Sequence, residues 1–251
     1  MSAPIFDQQA GRLRRNRAAL SGGDRFLHDR ALDDCLERLA DMSRRFESVL
    51  VIGDHPETPV AALKAALPDA IVTASDPTSL SQLVPGSFDL CVSIGQLETS
   101  DDLSTAAFVR RHLLAPGGLL LGALIGGDSL PLLRSAMLAA DQAGGGASPR
   151  VHPSIDGPSL SALLGSVGLV DPVIEIDRID VRYASLGQLV NDLRAMGCTN
   201  ILTQRSRRPL TRTQLEIASR AFLGGGIQAT ERFELLHFTA WAPQGDLATT
   251  S

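Results

Sequence analysis

Between Ser48 and Ala143 the chain switches its hydrophobic period repeatedly, and that alternation limits the folds open to it. Ser48–Gly53, "SVLVIG", is a short β-branched apolar run that suits a strand buried on both faces. Val60–Leu67 has helical spacing and stops at Pro68. Ala70–Ser75 and Phe88–Ser93 read as the second and third strands, and Thr105–Leu114 as a helix. The turn Ala115-Pro116-Gly117-Gly118 then leads into a fourth strand, Leu119–Ile125. Ser129–Ala143 is a further helix, ending in Gly144–Gly146. Strands that alternate with helices require βαβ units and a parallel sheet, so the fold class is α/β with helices on both faces.

The flanks are less regular. Residues 1–20 are basic and read as an arm or short helix. Asp24–Phe46 is a helix, with Phe26, Leu27, Ala31, Leu32, Leu36 and Leu39 at helical spacing and Asp24 as a candidate N-cap. Beyond residue 150 come a helix at Pro158–Val167, an extended segment at Pro172–Tyr183 and a helix at Leu186–Met196 closed by Gly197. Another helix follows at Arg212–Phe222, then a last strand at Glu231–Trp241. Phe233, Leu235, His237, Thr239 and Trp241 share one face of that strand and Leu236, Phe238 and Ala240 the other, so both faces are expected to be buried. The expected organisation of the 251 residues is an arm and helix (1–46), a Rossmann-like core (47–145), a part that completes the sheet (146–243) and a disordered tail (244–251).

Composition removes several function classes. A net charge of −5 disfavours a broad nucleic-acid surface. The charge is uneven: Arg12, Arg14, Arg15 and Arg17 form one cluster and Arg205, Arg207, Arg208 and Arg212 another. Each reads as a solvated face or as a docking site for an acidic partner. Cys35, Cys91 and Cys198 lack the spacing of a disulfide framework or zinc site, which fits a reducing compartment, and the cytosol is the expected location. No apolar run approaches membrane-spanning length. His28, His55, His112, His152 and His237 show no metal-binding spacing and are assigned structural or surface roles. No GxSxG or Walker motif occurs, and Cys91 lies mid-strand, where thiols are inert. The catalytic group is therefore unknown and no metal is expected.

In a doubly wound sheet, ligands sit beyond the carboxyl ends of the strands, where strand order reverses. That points to Gly53–Thr58, Ser75–Thr78, Ser93–Glu98 and Leu124–Asp128. Asp76 follows the second strand, where a carboxylate accepts from ribose hydroxyls; before a proline it is equally a turn former. The first loop departs from a cofactor turn. After Gly53 come Asp54, His55, Pro56 and Glu57, which add bulk and negative charge and remove a backbone donor. A phosphate-rich dinucleotide is disfavoured most there. S-adenosylmethionine (SAM), which also carries positive charge, is disfavoured less.

The order "VLVIG", "AIVTASD", "FDLCVS", "LLAPGGLLLGAL" resembles the class I SAM-dependent methyltransferase fold. "GGDSLPLLRSAM" (126–137), "GGASPRVHPSIDGPSLSALLGSVGL" (145–169), "IDRIDVRYASLGQLVNDLRAMGCTNIL" (176–202) and "FELLHFTAWAP" (233–243) resemble one subgroup. It comprises the methyltransferase-like assembly factors of mitochondrial respiratory complex I, one described as an arginine hydroxylase, and their bacterial relatives. The malonyl-carrier-protein methyltransferases of biotin synthesis are its neighbours. The resemblance covers nearly the whole chain. It implies a seven-stranded, mostly parallel Rossmann-like sheet with an N-terminal helical arm and a C-terminal helical insertion. It also implies SAM as cofactor, held by Gly53 and Asp76 with help from Ser93 or Gln96. Against the family's first motif, Val51 stands at the acidic position, Gly53 matches, and His55 and Glu57 occupy the later glycines. Of the family's Leu-His-Trp after the fourth strand, only Leu97 matches. Two readings stay open. One is an enzyme that methylates or hydroxylates a protein substrate in respiratory-complex assembly, with Glu175, Asp177, Asp180 or Asp192 orienting a basic side chain. The other is a non-catalytic assembly or regulatory factor that kept the fold.

Overall fold

The computed structural model describes residues 3–53 and 57–245. Among these residues the order is α1 (Gln8–Ser21), α2 (Phe26–Asp41), β1 (Ser48–Ile52), α3 (Glu57–Ala66), β2 (Ile71–Ser75), β3 (Phe88–Ile94), α4 (Leu103–Leu113), β4 (Leu114–Ile125), α5 (Pro131–Ala143), α6 (Gly157–Ser166), β5 (Val170–Tyr183), α7 (Leu186–Ala195), α8 (Arg212–Leu223) and β6 (Ala229–Trp241). The strands form one sheet in the order β2-β1-β3-β4-β6-β5. β1 runs parallel to β2 and β3, and β3 parallel to β4. β6 runs against β4: the Ala242 N–H donates to the Gly118 carbonyl and the Gly126 N–H to that of Glu234, so partner numbers fall as β4 advances.

The sheet is therefore mixed, with three parallel pairings, and among the described residues it has six strands where seven were expected. The connection from β2 to β3 explains the missing strand. Residues 76–87 hold Pro77, a 3₁₀ turn at Leu80–Gln82 and Pro85, which is room for one crossover and not for a further helix and strand. Two local expectations also change. α2 begins at Phe26, so Asp24 stands two residues before the helix rather than at its cap. Ala115–Gly118 lies within β4, where Phe88 pairs with Leu114 but Leu90 with Leu119. The tetrapeptide is thus a bulge in a longer strand, with Gly117 at φ 69°.

Side-chain alternation along β1 sets the layers. Val49 and Val51 pack with Cys35 and Leu39 of α2 and Leu63 of α3. Leu50 and Ile52 pack with Ala107 and Leu113 of α4 and Leu160 and Leu164 of α6. The expected burial of β6 on both faces holds: Phe233, Leu235, Leu236, His237, Phe238 and Ala240 are all buried. The chain forms two compact units from separate stretches, one from 1–25, 125–154 and 178–234, the other from 26–124, 155–177 and 235–251. The second holds the layers just described. In the first, α5 and α8 bury Leu133, Ala136, Ala140, Ala218 and Phe222. The fully buried Glu231 there accepts from the Leu132 and Leu133 N–H groups, so a β6 carboxylate caps α5.

Candidate functional site

β2 lies on one side of β1 and β3 on the other, so strand order reverses between β1 and β3. A ligand crevice is expected beyond their carboxyl ends. Gly53 closes β1 there, its N–H donating to the Ser75 carbonyl at 3.1 Å. Gly95 follows β3 at φ 68°, and Gln96 takes φ 65° directly after it. Two successive left-handed residues turn the chain sharply, and the second lacks glycine's freedom, a strain of about 1–3 kcal/mol. The turn puts the Gln96 Nε2 3.7 Å from where a Cβ on Gly53 would sit. The Gln96 Oε1 is buried and has no hydrogen-bond partner among the described residues. A buried acceptor left unmet costs roughly 1–3 kcal/mol, so strain and desolvation meet at one side chain.

The other expected site residues divide. Asp76 sits just past β2 and folds its carboxylate onto its own turn, accepting from the Thr78 N–H at 2.8 Å, the Thr78 hydroxyl and the Ser79 hydroxyl at 2.9 Å. The Thr78 hydroxyl above all, with the Ser79 hydroxyl and the backbone N–H groups of both residues, holds its pKa below the usual carboxylate range against the opposing desolvation. With the Ser79 backbone N–H as a fourth donor, the turn itself takes up the roughly four acceptor positions of the carboxylate. Ser93 is fully buried and its hydroxyl accepts from the Arg110 Nε at 3.1 Å. The structure thus brings Gly53 and Gln96 together, ties the Asp76 carboxylate to its own turn, and commits the Ser93 hydroxyl inside the fold.

Two residues outside the expected stretches, His28 and Arg110, join this group. A Cβ on Gly95 would lie 3.7 Å from the His28 Nε2 and 3.8 Å from the Glu98 Oε1. His28 comes from α2, and the signal was present in its spacing, since His28, Leu32, Cys35 and Leu39 share one helical stripe. Beneath the turn, Arg110 of α4 is 2% exposed and donates from Nη1 to the Ala106 carbonyl at 2.8 Å. Burial lowers its pKa, while Cys91 and Glu98 act in the opposite sense. Burial also pushes the Cys91 thiol up to about 12, so it is no nucleophile near neutral pH.

Three of the four carboxylates expected to orient a basic substrate are ion-paired within the chain. Glu175 pairs with Arg38 at 2.8 Å, Asp177 with Arg30, and Asp180 with Arg232 at 2.9 Å; Asp192 faces the Tyr183 hydroxyl. The buried His237 lies 2.9 Å from Asp34, which is also bound by Arg38. Asp54, His55 and Pro56 of the unusual first loop lie outside the described residues, as does the tail from 246. Glu57 opens α3. Among the described residues no His/Cys/Asp/Glu group forms a metal site, and no helix is long and apolar enough to cross a membrane.

No protein-family model matches the chain. Over 94% of its length it is 29% identical to the mitochondrial arginine-hydroxylase NDUFAF5 of Mus musculus, of which it spans 77%. Over 69% of its length it is 30% identical to malonyl-[acyl-carrier protein] O-methyltransferase 1 of Coxiella burnetii, of which it spans 57%. It spans about a third to a half of several other curated relatives. Among solved structures it resembles Burkholderia thailandensis 1,6-didemethyltoxoflavin-N1-methyltransferase with bound S-adenosylhomocysteine, at TM-score 0.52 and 15% identity over 97% of this chain and 92% of that one.

Proposed function

Since the chain belongs to the class I SAM-dependent methyltransferase superfamily and is a methyltransferase-like protein, we propose that it binds SAM in the crevice beyond β1 and β3 and acts on a protein substrate. One observation carries the reading: the buried Gln96 Oε1, unpartnered among the described residues, on the side chain whose Nε2 lies beside Gly53. SAM fits that pair. Its ammonium group supplies the donor that Gln96 lacks, and Gly53 leaves the backbone open to close approach. Asp76 would hold the ribose by exchanging one of its turn donors, Thr78 or Ser79, for a ribose hydroxyl. When bound, SAM supplies an electrophilic methyl group, and the chain's part is to hold and orient it. The arginine-hydroxylase name of the mouse relative and the carrier-protein name of the Coxiella relative both support a protein as substrate.

A second reading, a cofactor-free assembly factor, is favoured by the side chains that replace two glycines of the family's first motif, His55 and Glu57. Calorimetric titration with S-adenosylhomocysteine separates the two. Micromolar binding, weakened roughly tenfold to a hundredfold in Gln96→Leu, supports the cofactor site. Absence of heat at millimolar ligand, in the wild type and after glycine is restored at positions 55 and 57, leaves the assembly-factor reading.

A further inference from the structure

The two arginine-rich stretches of the sequence meet at one surface of the first unit. Phe6 bridges to Leu202 in antiparallel fashion, and the Asp7 N–H donates to the Ile201 carbonyl at 2.7 Å. Two turns along α1, the Arg14 guanidinium donates to the Asn200 carbonyl. Arg205 and Arg207 share one oxygen of Asp7, at 2.8 and 3.6 Å. The charges that bear most on Arg14 are Arg205, Arg17 and Arg207, with Asp7 opposing them. A merely solvated face would splay such side chains into water. Here the Arg205 side chain is only 10% exposed, so cations are held beside cations at a cost in repulsion. Arg207 stays 73% exposed beside them, and Arg17 and Arg208 are exposed too.

Exposed apolar groups stand on α1 as well, the helix that carries Arg14 and Arg17. Leu13 is 49% exposed and Leu20 89% exposed. With Arg17 they fall at i, i+4 and i+7, one outward stripe of α1. We propose that this face docks an acidic amphipathic helix of a partner protein, with apolar side chains against Leu13 and Leu20 and carboxylates against Arg17, Arg207 and Arg208. Arg14 and Arg205, fixed by Asn200 and Asp7, add positive charge beside them, and planar guanidinium groups suit bidentate carboxylates. A membrane fits less well, because the stripe offers two leucines and no aromatic anchor. Single-stranded nucleic acid needs stacking rings, and Phe6, the aromatic residue at this face, is buried. The surface lies wholly in the first unit, so the inference does not rest on SAM binding.

The test uses the full chain and a fluorescein-labelled Glu/Leu amphipathic peptide of about three heptads. Fluorescence anisotropy should give saturable binding that weakens as salt rises. The exposed pair Arg17→Glu/Arg207→Glu should loosen it about tenfold or more, and Leu13→Ser/Leu20→Ser should also loosen it. The same peptide with Lys for Glu should not bind. Circular dichroism and the S-adenosylhomocysteine titration check that each variant is intact; Arg17→Gln/Arg207→Gln, expected to lose less, serves if charge reversal impairs folding. Equal affinity of wild type and the arginine variants overturns the proposal. So does failure to bind the peptide when phosphatidylserine-containing vesicles or an oligo-dT strand are bound and then lost in the same variants.

Discussion

His152 shows how a single side chain can tie pH to stability. Its Nε2 accepts from the Ile201 N–H at 2.9 Å, and the ring meets Phe6 edge-on at 5.3 Å. Burial, helped by Arg14 and Arg134, pulls its pKa from 6.5 to about 4. Because the folded value is the lower one, the unfolded chain binds more protons between those limits. The stabilisation is complete above about pH 6.5 and is lost as pH falls through about 4, with a ceiling of about 3 kcal/mol. His152→Gln keeps an acceptor but cannot titrate. Denaturant midpoints measured from pH 7 to pH 4 should therefore fall less in the variant than in the wild type, and parallel slopes would refute the assignment. Its structural role was readable from the lack of any metal spacing. Its partners were not, because Phe6 and Ile201 are far away in sequence.

At the scale of elements, the β3–β4 pair depends on a close approach at Gly122. A Cβ there would lie 1.9 Å from the Ser93 carbonyl oxygen and 2.8 Å from the Phe238 ring. The first contact is with backbone, so no rotamer change relieves it. Gly122→Ala should cost about 2 kcal/mol or more in urea unfolding, and an unchanged midpoint would mean that β3 and β4 do not pair in this register. Most elements were legible because their hydrophobic period survives packing: "SVLVI" is buried on alternate faces by helices that the 3.6-residue period also reveals. What was hidden depends on pairing between distant segments. The bulge at Ala115–Gly118 looks like a free turn until its partner Phe88 is known. The acidic residues of β5 look available to a substrate until Arg30, Arg38 and Arg232 are seen to hold them. The seventh strand came from resemblance, and the length of the segment between β2 and β3 argues against it.

Across the whole molecule, the crevice and the arginine face are built from different residues, and each should leave its own footprint. Gly53, Asp76, Gln96 and their neighbours His28, Glu98 and Arg110 belong to the second unit; Arg14, Arg17, Arg205 and Arg207 belong to the first. Strand order alone names the place where a crevice is expected, but not its chemistry, because the strained Gln96 and the nearby His28 emerge only when α2 and β3 are packed. Amide hydrogen exchange reads both regions in one sample. S-adenosylhomocysteine at about a hundredfold over its dissociation constant adds about 2.7 kcal/mol to whatever opens the site. Protection should then rise in peptides covering 48–53 and 88–99 and stay level in those covering 8–21 and 200–212. The acidic peptide should reverse that pattern. If either ligand protects the other's segments as strongly as its own, binding acts through the whole fold and the separate assignment of crevice and docking face fails.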